Sequence, residues 1–136
     1  MLKIDLVNEQ VYGEPGPNLL IRGTKEGISY FLSKVKAVLS GHGEQVITSS
    51  SEIELKGLRS LTLRSSSGGK IVSKINSSTN NVLIDLDTSL WEMGLTILNG
   101  LDLTHGFQYF EFDDVEGLTE EANVIVDSLP REKLTN

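Results

Sequence analysis

Leu2-Lys3-Ile4-Asp5-Leu6-Val7 alternates apolar and polar residues with a period of two, which predicts a strand with one buried face. Gly13 to Pro17, rich in glycine and proline, suits neither a helix nor a ladder and predicts a loop. Asn18 to Arg22 then predicts a second strand, and with the first a hairpin closed by a long loop. Ile28, Phe31, Leu32, Val35, Val38 and Leu39 recur at intervals of three and four, the stripe of an amphipathic helix. Gly23-Thr24 opens that helix, with Thr24 placed to accept a first-turn N–H and Glu26 near the positive end of the dipole. Gly41 and Gly43 stop it in the position of a left-handed cap. Glu44 to Thr48 and Ser60 to Arg64 alternate again as strands, joined by a polar connection that begins at Ser49.

The order then restarts. Lys70 to Ile75 predicts a strand, Asn76 to Asn80 a polar turn, and Asn81 to Leu86 a second strand. Asp87, Thr88 or Ser89 caps a second helix, with Ser89 and Glu92 at capping-box spacing. Leu90, Trp91, Gly94, Leu95, Leu98 and Leu101 supply its apolar face. Gly94 and Gly100 each weaken it by about 1 kcal/mol against alanine, and Gly94 offers room for close approach to the sheet or to the other copy. Phe107 to Asp113 and Ala122 to Asp127 complete the series, and 130–136 forms a tail.

A shift of 63 residues superimposes the two passes without a gap. Asn18 falls on Asn81, Ile21 on Ile84, His42-Gly43 on His105-Gly106, Gln45 on Gln108, Leu55 on Leu118 and Ser65 on Ser128. Nine of the 48 aligned residues from Asn18 to Ser65 are identical. The expectation is one α+β domain over 1–136, built from two ββαββ repeats (about 1–68 and 69–129) related by a pseudo-two-fold axis. Its antiparallel sheet carries two helices on one face and leaves the other face polar.

Composition sharpens this picture through charge. The chain carries a net charge of −7 and has no cysteine, which excludes a disulfide framework, a thiol nucleophile and a Cys-ligated metal. Residues 1–69 hold eight Lys/Arg and seven Asp/Glu; residues 70–136 hold four and twelve. One half is therefore nearly neutral, at +1, and the other strongly acidic, at −8. The acidic balance opposes nucleic-acid binding, which rests on basic side chains neutralising phosphates, and steers the protein toward basic partners. The absence of a long apolar run predicts no membrane span and no secretory signal, and points to the cytoplasm.

The candidate chemistry is that of a binding surface. Tyr109, Glu111, Asp113, Asp114 and Glu116 set an aromatic among carboxylates, a composition suited to a protein interface. The spacing lacks the calcium-loop pattern, so no metal is expected there. His42 and His105 hold equivalent places after the two helices, and two histidines alone fall short of a zinc site. Tyr30 and Trp91 sit beside the apolar stripes as packing residues. No phosphate loop, GxSxG, HExxH or dinucleotide fingerprint is present, so no cofactor and no catalytic residue is expected.

Two stretches resemble the bacterial immunity protein 32 family, a group of small proteins that neutralise polymorphic toxins. They are Leu19 to Ile28, with its strand, Gly23-Thr24 and Glu26-Gly27-Ile28 helix opening, and His105 to Glu111 followed by Leu118 and Ala122 to Val126. The chain departs from the family by spreading these over two copies and by having His105 alone where a His-x-His is expected. The resemblance implies a non-catalytic cytoplasmic inhibitor that occludes a toxin domain, and an acidic one suits a basic toxin. Two other readings stand beside it. One is a structural module that forms a homodimer or larger assembly through strand edges. The other is a small-ligand domain with a cleft between the repeats, centred on His42 and His105.

Overall fold

The structure is a computed structural model and describes residues 1–7, 18–65, 72–76, 80–99, 107–110 and 123–128. The chain is α+β. In chain order the elements are β1 (Leu2–Val7), β2 (Asn18–Gly23), α1 (Lys25–Leu39), β3 (Gln45–Thr48), β4 (Ile53–Lys56), β5 (Ser60–Ser65), β6 (Val72–Asn76), β7 (Asn81–Leu86), α2 (Thr88–Asn99), β8 (Phe107–Phe110) and β9 (Asn123–Ser128). The predicted loop at Gly13 to Pro17 and the tail at 130–136 lie outside the described residues.

Helix α1 follows its sequence signals closely. Thr24 is the N-cap, and its hydroxyl accepts the Gly27 backbone N–H at 3.2 Å. Ile28, Phe31, Leu32, Val35 and Val38 are buried, as the stripe requires. At the other end the His42 N–H reaches the Ala37 carbonyl at 3.1 Å and the Gly41 N–H reaches that of Val38 at 3.3 Å, the paired bonds of a Schellman stop. This stop needs a left-handed residue, and Gly41 supplies it with φ 80°. Helix α2 is capped by Asp87: its Oδ2 accepts the Ser89 N–H at 3.3 Å and the Ser89 hydroxyl at 2.6 Å.

The strands form two mixed sheets where one antiparallel sheet is the sequence expectation. The first runs β4-β1-β2-β9-β8 and the second β3-β5-β7-β6. Three neighbouring pairs are parallel: β1 with β4, β2 with β9, and β5 with β7. Period-two alternation marks a half-buried strand whichever way its neighbour runs, so it carries no signal for direction. Strand β4 has no counterpart in the expected order: Ile53-Glu54-Leu55-Lys56 alternates, but it lies within the stretch read as a polar connection from Ser49.

Each sheet draws strands from both halves. The hairpin β1–β2 from the first half is extended by β9 and β8 from the second, and the hairpin β6–β7 is extended by β5 and β3 from the first. The ladders agree in register. Asn18 pairs Asn123 as Asn81 pairs Ser60, and Gln45 pairs Leu63 as Gln108 pairs Val126; each relation is the same shift of 63 residues.

One apolar cluster joins both sheets. Leu2, Ile4, Leu19, Ile21 and Val126 come from the first, and Ile47, Leu61, Leu63, Val82 and Ile84 from the second. Helix α1 touches β2 on one side and β3 and β5 on the other, and packs against α2. Helix α1 thus bridges the two sheets, where the expectation set both helices on one face of a single sheet. Trp91 of α2 is buried, and its Nε1–H donates to the Arg64 carbonyl of β5 at 2.8 Å, which satisfies its polar end.

Candidate functional site

Of the predicted contact residues, Tyr109 lies on β8 and pairs Ile125 of β9. Strand β8 ends the five-stranded sheet, so among the described strands it is paired on one side only. Glu111, Asp113, Asp114 and Glu116 lie outside the described residues, as does His105. His42 is exposed in the stop after α1. Among the described residues no group of three or more His, Asp or Glu could hold a metal ion.

The sheet faces away from the apolar cluster carry ordered charge. On the five-stranded sheet Arg22 Nη2 donates to Asp5 Oδ2 at 2.6 Å, and Lys3 Nζ lies 3.4 Å from Glu54. Asp127 stands directly across from Arg22 in the parallel ladder. On the four-stranded sheet Arg64 donates to Asp85 Oδ2 from Nη2 at 2.8 Å and from Nε at 3.0 Å. The expected polar face carries charge on both sheets, but it is not open to solvent throughout. Asn18, Leu20 and Asp127 on the first sheet are 0%, 8% and 5% exposed and Asp85 on the second is 3% exposed, while Arg64 and Asn81 are exposed. Sequence reasoning passed over these charges one by one. The signal that finds them is the 63-residue shift, which sets Arg22 on Asp85 and Arg64 on Asp127.

A groove of about 310 Å³ lies beside the start of α1, lined by Met1, Leu2, Gly27, Tyr30 and Ile53 with Glu26, Ser50 and Glu52. Tyr30 is half exposed there, with the Lys34 ammonium 5.2 Å from its ring centre. This corrects its reading as a packing residue, while Trp91 does pack. Glu26 and Glu52 border an otherwise mostly apolar channel, and the Met1 ammonium lies 3.6 Å from the Glu52 carboxylate.

Among the described residues no helix is long and apolar enough to cross a membrane. Compared with protein-family models, with curated proteins and with solved structures, the chain matches none.

Proposed function

We propose that the chain is a non-catalytic binding protein of the cytoplasm, an immunity protein that neutralises a cognate toxin through the aromatic and acidic stretch from Tyr109 to Glu116. The observation that carries this reading is the place where that stretch begins. Tyr109 lies on a terminal strand, where a segment is accessible to a partner without breaking the sheet. The net charge of −8 on residues 70–136 supports it, because complementary charge raises the rate and sets the register of association with a basic partner. The resemblance of Leu19 to Ile28 and His105 to Glu111 to the immunity family points the same way.

The test is whether a toxin domain is encoded beside this gene and whether this chain protects cells from it. Asp113→Lys with Asp114→Lys removes protection and slows association by about tenfold or more at low salt, with an unchanged melting midpoint. A double variant that binds and protects like its parent rejects the acidic surface. The assembly reading has its own observation, the terminal strand β3, on which Val46 is 49% exposed. A particle mass that rises with concentration, and falls back in Val46→Lys, favours that reading instead.

A further inference from the structure

Four charged residues stand where the two halves of the chain meet. Arg22 of β2 lies across from Asp127 of β9, and Arg64 of β5 lies across from Asp85 of β7. The 63-residue shift carries Arg22 onto Asp85 and Arg64 onto Asp127. The first half therefore has arginine at both equivalent positions, and the second half has aspartate at both. A neighbouring position shares the inversion: Asp5 stands opposite Leu20 in the first half, and Lys74 stands opposite Leu83 in the second.

We infer that the two halves are copies of one unit, and that these four charges make each half pair with the other and not with its own kind. The backbone does not make that choice, because both parallel seams have the same register. A seam between two first halves sets Arg22 across from Arg64, and a seam between two second halves sets Asp85 across from Asp127. Like charges placed directly opposite each other repel. The repulsion is strongest where water is excluded, and Asp85 and Asp127 are 3% and 5% exposed. Specificity then arises from the penalty on the wrong pairing as much as from the Arg64–Asp85 bonds at 2.8 and 3.0 Å. The surface so defined fits one partner class: the opposite half, supplied by the same chain or by a second copy of it.

Two double variants with the same composition and the same net charge of −7 separate this from charges set only by local pairs, Arg64 with Asp85 and Arg22 with Asp5. Arg64→Asp with Asp85→Arg exchanges the charges across one seam, so opposite charges still face each other within the chain. It keeps the parent's mass by light scattering and a melting midpoint within a few degrees. Arg64→Asp with Asp127→Arg puts like charges in both seams of a single chain, and opposite charges between like halves of two chains. It is folded by circular dichroism and runs at twice the parent's mass or more at high micromolar concentration. The inference is overturned if this second variant is folded at the parent's mass, or unfolded without association. It is equally overturned if the first variant fails to fold, because the charges are then tied to their local surroundings and not interchangeable.

Discussion

Gly27 shows what a single residue contributes that the helical pattern hides. It sits in the first turn of α1, where alanine in its place raises helix propensity by about 1 kcal/mol. A methyl group there would lie 2.0 Å from the carbonyl oxygen of Met1, which also accepts the Thr24 N–H at 3.0 Å. Backbone, not a flexible side chain, blocks the space, so β1 or the helix must shift. Gly27→Ala is therefore expected to destabilise by about 1–3 kcal/mol despite its better propensity, read as a lower urea midpoint. A midpoint equal to the parent's contradicts the close approach. The residue-scale reading from sequence was accurate where a residue acts on its own neighbours. Thr24 and Gly41 cap α1 as their types and positions predict. It failed where the neighbour is remote, as for Gly27 against Met1 and for Arg64 against Asp85.

At the scale of elements, both helices were legible because their start, stripe and stop are local in the chain. At the start of α2 the structure selects one of the three candidate caps. Asp87 is the capping residue and the first to satisfy a helical N–H, through Ser89. The Ser89 hydroxyl, then its N–H, hold the Asp87 carboxyl below the ordinary value of 3.8. A carboxyl depressed in the folded state stabilises fully above its unfolded value and loses that contribution as pH falls through the lower folded value. The difference in urea midpoint between the parent and Asp87→Ala is thus expected to be full at pH 6 and to shrink below about pH 3.8. A difference independent of pH excludes the charged cap. Strands β1, β2, β5 and β7 were legible, and β4 was not, because its short alternation falls inside a stretch read as a polar connection. The burial of both faces of β2 was also invisible. Asn18 and Leu20 alternate with the core residues Leu19 and Ile21, yet both are buried, a consequence of what covers the sheet and not of strand pattern.

For the whole molecule, the decisive fact is that each sheet draws strands from both halves. Neither half keeps a complete sheet when the other unfolds, so opening is expected to be concerted. Hydrogen exchange should show the amides of β2 and β7 exposed at the same urea concentration; protection lost in one half well before the other contradicts this. The seams are also non-local, Asn18 pairing with Asn123, which places the chain among slow folders, where loop closure precedes any reward. The candidate surface was legible as composition only, from the aromatics and acids after His105, and the structure adds the position of Tyr109 on a terminal strand. The sequence by itself determined the α+β class, the helices with their caps, most strands and the charge contrast between the halves. These depend on propensity, periodicity and contacts within a few residues. Only the tertiary structure decided that the strands divide into two mixed sheets, that the halves exchange strands, and that Arg64 meets Asp85. The reason is physical: alternation states that a strand has an apolar face, but the partner along its edge is chosen by register and charge between residues as much as a hundred positions apart.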